Sequence, residues 1–190
     1  YNNAMIITIL ILAILIWAYL VGQSRGLALQ GYYTLGSWVA IFIALKNYQA
    51  LGEKITLWVP FASATSNSKL AFYSSKLLFE IDHVFYAVLA FMVIFLIVYG
   101  IVRLVGIFLG ALENKIILGK TGNIIAGALS ICCTYFVLSL GLMALSTMPI
   151  PLVQNQLMSS GLARFMLVNT PLFSGWLQET FITQITHIKI

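Results

Sequence analysis

Residues 5–45 read MIITILILAILIWAYLVGQSRGLALQGYYTLGSWVAIFIAL, and the only charged side chain among them is Arg25. This arginine separates two apolar runs, residues 5–22 and residues 27–45. About 20 helical residues cross a hydrocarbon core about 30 Å thick, so each run is long enough to span a bilayer. Because lipid offers no partners to backbone N–H and C=O groups, both runs are predicted to be helical. Residues 22–26 then predict a tight hairpin turn, in which glycine permits a positive φ or a close approach.

Two further apolar runs follow this pair. Residues 84–112 contain one charge, Arg103, and residues 123–146 contain none. The sequence therefore predicts an all-α integral membrane protein, a four-transmembrane-helix bundle that forms a single domain over residues 1–190. The expected spans are residues 5–22, 27–45, 84–106 and 123–146. No Lys or Arg precedes Arg25, so we interpret the first run as a retained span and not as a signal peptide.

The composition agrees with a membrane location. The chain is 61% hydrophobic and 8% charged, whereas soluble domains are about 25% charged. Its net charge of +5 comes from Lys and Arg residues that are scattered singly along the chain. We expect these residues to contact lipid headgroups and set the topology, and we expect no nucleic-acid partner. Adjacent Cys132 and Cys133 show no metal or redox spacing and are interpreted as small residues of the membrane core.

Two segments of mixed polarity are predicted to form amphipathic interfacial helices. One lies between spans two and three, where apolar residues recur at helical spacing and charged residues occupy another face. It is expected to lie at the membrane surface or to lead into the third span. Its apolar residues are Leu70, Tyr73, Leu77 and Ile81, and its charged residues are Lys69, Lys76 and Glu80. The other is the C-terminal tail, residues 150–190, which is not long or apolar enough for a fifth span and is expected to form surface helices packed on the bundle or on the headgroups. Thr170-Pro171 in this tail predicts an N-cap followed by proline at the first helical position.

Small and polar residues form a stripe on three of the predicted spans. The stripes are Gln30, Thr34 and Ser37 on span two, Tyr99, Arg103, Gly106 and Gly110 on span three, and Asn123, Gly127, Ser130, Thr134 and Gly141 on span four. One interpretation is helix packing, since small residues and interhelical hydrogen bonds drive helix association in lipid. The alternative is a hydrated path or a ligand cleft between the three faces.

The candidate functional or packing residues combine these stripes with the hairpin turn. They are Arg25, Gly26, Gln30, Arg103, Gly106, Gly110, Asn123 and Gly127. Arg103 either snorkels to the interface, which costs less and is preferred, or lies deep and binds an anionic lipid or substrate. We predict no catalytic, cofactor-binding or metal-binding residues, because the spacing around Asp82 and His83 marks no third ligand and no nucleophile.

The short connections predict an orientation. Arg25 lies between spans one and two. Arg103, Lys115 and Lys120 surround the turn between spans three and four. The positive-inside rule places both connections in the cytoplasm, so both termini are expected outside. Lysines in the outer segments, such as Lys46, oppose this assignment.

Several short motifs follow one another along nearly the whole chain. They are Arg25-Gly26 with Leu29-Gln30 and Gly36, Leu57-Trp58-Val59-Pro60, Phe85-Tyr86-Ala87, Gly119 with Gly122, Gly127 and Ala128, Ser160-Gly161-Leu162-Ala163, and Thr170-Pro171-Leu172. Their order and spacing resemble the colicin V production (CvpA-like) family of bacterial membrane proteins. The resemblance implies a four-span protein of the bacterial inner membrane with no agreed catalytic residues.

The resemblance also implies a function. It is that of a non-enzymatic accessory or scaffold protein, without a cofactor, that supports colicin V-type toxin production and envelope homeostasis. Because four spans bury little volume, we expect a second copy or another membrane protein as partner, besides the lipid bilayer. The alternative is a small transporter or channel with a polar path between spans two, three and four, lined by Arg25, Gln30, Arg103 and Asn123. The absence of an acid within the spans favours the scaffold, since coupled transporters usually show midplane carboxylates or broken helices.

Overall fold

A computed structural model describes residues 2–61, 72–73, 80–110, 118–170 and 173–186. Every regular element in these stretches is helical, which confirms the all-α class, and three helices are long and apolar enough to cross a membrane. These are α1 (Asn2–Ile55), α2 (Ile81–Phe108) and α3 (Gly119–Ser146). The tail contains α4 (Pro151–Ser159), α5 (Gly161–Arg164), the π-helix π1 (Phe165–Asn169), α6 (Phe173–Gln178), the π-helix π2 (Glu179–Thr183) and α7 (Gln184–Thr186).

Helix α1 consists of two arms that meet at Gly26. This glycine has φ 76° and ψ 168°, a conformation that side chains with a Cβ rarely adopt. In the first arm, residues 2–25, Gly22 packs against Ser130 of α3. In the second arm, residues 27–55, the Ser37 hydroxyl lies 3.6 Å from the sulfur of Cys133, which also belongs to α3. Both arms therefore lie along α3, and the chain reverses direction at Gly26.

The turn is tighter and the second arm is longer than the sequence indicates. Of the predicted turn residues only Gly26 leaves the helical conformation, while Gly22 stays helical and provides the close approach to α3. The second arm continues to Ile55, ten residues beyond the predicted end of span two at residue 45. Hydropathy marks where apolar side chains stop, but exposed polar residues such as Lys46 and Glu53 continue the helix without difficulty.

Glycines set how closely the long helices approach one another. A Cβ at Gly36 would lie 2.3 Å from Val102, and a Cβ at Gly106 would lie 2.5 Å from the Tyr33 ring. A Cβ at Gly127 would lie 2.4 Å from the ring of Tyr19. Distances under 3 Å are shorter than real Cβ contacts, so these helix pairs are packed on glycine. This is the means by which lipid-embedded helices associate, since lipid supplies no hydrophobic force between them.

The tail enters the bundle instead of lying on its surface. Phe173 and Trp176 pack on Phe136, which belongs to the middle turns of α3. Phe181 packs edge-on against Phe91, in the middle turns of α2, and is fully buried. Near its end the tail returns toward the N-terminal end of α2, where Gln184 and Ile185 share a cavity with His83. Residues 151–170 and 173–186 thus form two helical segments, called here together the C-terminal hairpin, that reach about half-way into the bundle.

The interfacial placement predicted for the tail is therefore not confirmed, since the described residues 151–170 and 173–186 pack into the bundle. The reason is that each of its short helices has an apolar side facing the core, and amphipathicity alone does not distinguish a protein core from a membrane surface. The buried side chains are Leu157, Ala163, Met166, Leu167, Leu177, Phe181 and Ile182. The backbone of Thr170 fits the predicted N-cap, because it is extended and its carbonyl oxygen accepts from the Ser174 amide. Its hydroxyl donates to the carbonyl oxygens of Phe165 and Met166 in the preceding helix.

Most of the segment between α1 and α2 lies outside the described residues, and with it most of the predicted interfacial helix, including Leu70 and Leu77. Tyr73 is described and buried, and its hydroxyl lies 2.9 Å from the Ser146 hydroxyl at the end of α3. Burial raises the pKa of Tyr73 to about 12, so the phenol remains protonated at neutral pH. The hydrogen bond to Ser146 therefore joins two neutral hydroxyls.

The glycine contacts predict a position-dependent response to leucine within one helix. Gly127→Leu forces a side chain into the Tyr19 ring, so the free energy of unfolding should fall by about 1–3 kcal/mol. Gly141 has no heavy atom within 4 Å of its Cβ position, so Gly141→Leu should be neutral or slightly stabilising. Denaturant titration in mixed micelles, followed by circular dichroism, measures both variants. Equal stability of the two variants would contradict packing of α3 on Gly127.

Candidate functional site

A half-open cavity of about 400 Å³ is enclosed by both arms of α1, by α2 and by α3. Two of the residues that line it are arginines, and we call it the arginine cavity. The lining residues are Ile14, Trp17, Ala18, Val21, Arg25, Gln30, Tyr99, Arg103, Ser130, Cys133 and Thr134. Three of the predicted candidates, Arg25, Gln30 and Arg103, therefore lie at one site, although they come from the turn, the second arm and α2.

Tyr33 holds the two guanidinium groups together. The guanidinium carbon of Arg103 lies 4.6 Å from the centroid of the Tyr33 ring, and that of Arg25 lies 5.1 Å from it. The negative face of an aromatic ring attracts a cation at such distances. The two positive charges are then at most about 10 Å apart and repel each other by roughly 1.7 kcal/mol or more at an effective dielectric constant of about 20. An anion between them would remove this repulsion.

Arg103 contacts two tyrosine side chains. It is half-buried, and its guanidinium lies on Tyr33 and close to the Tyr99 hydroxyl. Tyr99 is one helical turn closer to the middle of α2, and long helical side chains point naturally toward the helix N-terminus. Tyr33 packs on Gly106, nearly one turn closer to the C-terminal end of α2, so the two tyrosines contact Arg103 from both directions along the helix.

Gln30 is the most deeply buried polar residue of this lining. It is 1% exposed, and its Oε1 has no hydrogen-bond partner among the described residues. A buried polar atom without a partner costs about 1–3 kcal/mol, so such an atom in a native fold requires an explanation. Its neighbours Thr34 and Ser37 are satisfied, since their hydroxyls donate to the carbonyl oxygens of Gln30 and Thr34.

The other predicted candidates have different positions. Gly106 and Gly127 lie at helix–helix contacts, and Gly26 is the reversal. Asn123 is exposed, with its Oδ1 3.9 Å from a Cβ position at Gly26. Gly110 has no heavy atom of the described residues within 4 Å of its Cβ position, so only Gly106 of the predicted GxxxG pair makes a close contact.

Two elements of the site are absent from the sequence-based prediction. Tyr33 contacts both arginines and Gly106. Its sequence signal is the helical spacing from Gln30 and Ser37, which puts Tyr33 on the polar face of the second arm. The second element is the tip of the C-terminal hairpin, where the Thr170 hydroxyl hydrogen-bonds to that of Tyr135. Tyr135 follows Thr134, which lines the cavity, so the tip contacts α3 at a residue next to the lining of the arginine cavity. No local pattern in the sequence indicates this long-range contact.

A second cavity of about 390 Å³ lies at the opposite end of the bundle. It is lined by residues of the second arm, the start of α2 and the end of the hairpin: Gln49, Gly52, Glu53, Thr56, His83, Tyr86, Ala87, Gln184 and Ile185. Within the described part of the chain, no three His, Cys, Asp or Glu side chains cluster as metal ligands would. We therefore take the arginine cavity as the candidate site.

Comparisons with known proteins agree with this architecture. Residues 7–171 match the family model described as colicin V production protein. The chain is 26% identical over 172 residues to an uncharacterized transmembrane protein, YshB, of Bacillus subtilis (strain 168), a match that covers 90% of this chain and 94% of that protein. No solved structure matches the chain significantly. Because the family model covers most of the chain, this membrane protein belongs to the colicin V production family.

Proposed function

We propose that the chain crosses the bacterial cytoplasmic membrane four times, through the first arm, the second arm, α2 and α3. The reversal at Gly26 supports this proposal, because each arm of α1 then runs the length of α3 and contains an apolar run long enough for one crossing. Arg25 lies next to the reversal, and Arg103 and Lys120 lie on the parts of α2 and α3 nearest to it. The positive-inside rule therefore favours a cytoplasmic reversal and two external termini.

Cysteine labelling tests the orientation. In a background with Cys132 and Cys133 replaced by alanine, single cysteines are introduced at four exposed positions, Ser24, Lys120, Glu53 and Asn155. An impermeant maleimide added to intact cells should label the variants at Glu53 and Asn155, which lie at the end of the bundle proposed to be external. It should label those at Ser24 and Lys120 only after lysis. The reverse pattern would contradict the proposed orientation.

We further propose that the protein is a non-enzymatic accessory or scaffold protein, which supports toxin production of the colicin V type and envelope homeostasis. The observation that carries this is the match of residues 7–171 to the colicin V production family. The glycine-packed bundle supports it, because a rigid bundle presents constant surfaces to a partner. Exposed apolar side chains such as Trp17, Trp38 and Phe42 provide such surfaces for a second copy or another membrane protein. Native mass spectrometry from nanodiscs counts the copies and tests the homo-oligomer.

A specific observation favours the second candidate function, a small transporter or channel. The C-terminal hairpin ends half-way into the bundle beside the arginine cavity. Non-helical backbone at membrane depth is tolerated where it is buried in protein or lines a water-filled cavity, and broken helices of this kind form the binding sites of many transporters. The cavity and the hairpin tip would together form the polar path.

One pair of assays separates the two functions. The first assay expresses each variant in a toxin-exporting strain that lacks its own family member. If the protein is a scaffold, the wild type and Arg103→Gln should restore export, and Gly127→Leu should not. In proteoliposomes with ion-sensitive dyes, it predicts proton, potassium and phosphate fluxes equal to those of empty liposomes. Flux through the wild type that Arg103→Gln abolishes, while the exposed-site control Arg164→Gln keeps it, would contradict the scaffold in favour of the transporter.

A further inference from the structure

We propose that the arginine cavity is a binding site for the headgroup of an anionic phospholipid. The phosphate would lie between Arg25 and Arg103, and the acyl chains would leave along Ile14 and Trp17. This inference goes beyond the function proposed above and holds whether the protein acts as a scaffold or as a transporter.

The charge of the cavity selects an anion. Two guanidinium groups face the same tyrosine ring, and none of the described residues that line the cavity is acidic. The described acidic residues lie elsewhere: Glu53, Glu80 and Asp82 at the opposite end of the bundle, and Glu179 in the C-terminal hairpin. Two cations in a partly buried site raise each other's electrostatic energy, and a shared anion reverses the sign of this interaction.

The chemistry of the lining selects a phosphate group with hydroxyl substituents. The planar fork of an arginine matches the oxygens of a phosphate with two parallel hydrogen bonds, which a lysine cannot provide. The hydroxyls of Ser130 and Thr134 line the same cavity, and the buried Gln30 amide retains unused hydrogen-bonding capacity. A phosphate-bearing headgroup with free hydroxyls, such as phosphoglycerol, offers partners for all of these groups.

The wall formed by the first arm indicates a lipid and not a free phosphate ion. Ile14, Trp17 and Val21 make this wall apolar, and Trp17 is 69% exposed, so the cavity is continuous with the lipid-facing surface. Arg25 directly precedes the reversal at Gly26, the end of the bundle where headgroups are expected. A ligand with a charged head and apolar chains fits both parts of the site.

Native mass spectrometry of the full chain in detergent tests the site with three probes. These are dioleoylphosphatidylglycerol, dioleoylphosphatidylcholine with the same chains, and soluble glycerol 3-phosphate. The wild type should retain phosphatidylglycerol with an affinity at least about tenfold above that for phosphatidylcholine, as expected for two charge-assisted contacts. The double variant Arg25→Gln/Arg103→Gln should lose this preference. Arg103→Lys keeps the charge but not the fork, and should show an intermediate affinity.

The matched control is Arg164→Gln, which removes an exposed arginine of the tail and should leave the preference unchanged. Circular dichroism and gel filtration of each variant ensure that only folded protein is compared. If the double variant does not fold, the lipid preference of Arg103→Lys tests the proposal. Equal affinity for the two lipids in the wild type would overturn the proposal. So would an unchanged preference in folded Arg103→Lys, or binding of glycerol 3-phosphate as tight as that of phosphatidylglycerol.

Discussion

The positive φ of Gly26 is the constraint on which the rest of the bundle depends. Without it, residues 2–55 would form a single straight helix about 80 Å long, far longer than a membrane is thick. With it, Gly22 and Ser37 contact the same helix, α3, from two sides. The reversal also creates the arginine cavity, because Arg25 precedes Gly26 and Gln30 follows it by a single turn. One residue without a side chain therefore sets both the packing and the site.

The C-terminal hairpin shows how a helix can be broken several times inside an apolar bundle. Unpaired backbone groups are costly there, and a polar side chain lies at each break. After α3, the Gln154 amide donates to the carbonyl oxygens of Ser146 and Met148. At the start of α5 the Ser160 hydroxyl accepts from the Ala163 amide, and at the tip the Thr170 hydroxyl donates to the preceding helix. These local partners allow Phe181 and Trp176 to reach the core.

Sequence patterns predict those features that are governed by local physics. The apolar runs located α2, α3 and both arms of α1, because an uncharged run in lipid must be helical. The polar stripes predicted that Gln30 and Arg103 lie near each other, since small and polar faces meet in membrane bundles. The depth of the tail could not be predicted, because it depends on contacts such as that between Phe91 and Phe181, which are far apart in the chain. The contact of Arg103 with Tyr33 likewise joins residues that are far apart in the chain.

The reversal at Gly26 is tested most directly by a distance between the two arms. Ile9 and Phe42 are both exposed and lie nearly equidistant from Gly26 along the chain. Spin labels at these two positions, in protein reconstituted into nanodiscs, can be measured by pulsed electron paramagnetic resonance. Because both arms pack on α3, the label separation should be under about 30 Å, given interaxial distances of about 8–10 Å. A separation of about 50 Å, the length of 33 helical residues, would contradict the reversal and show one continuous helix.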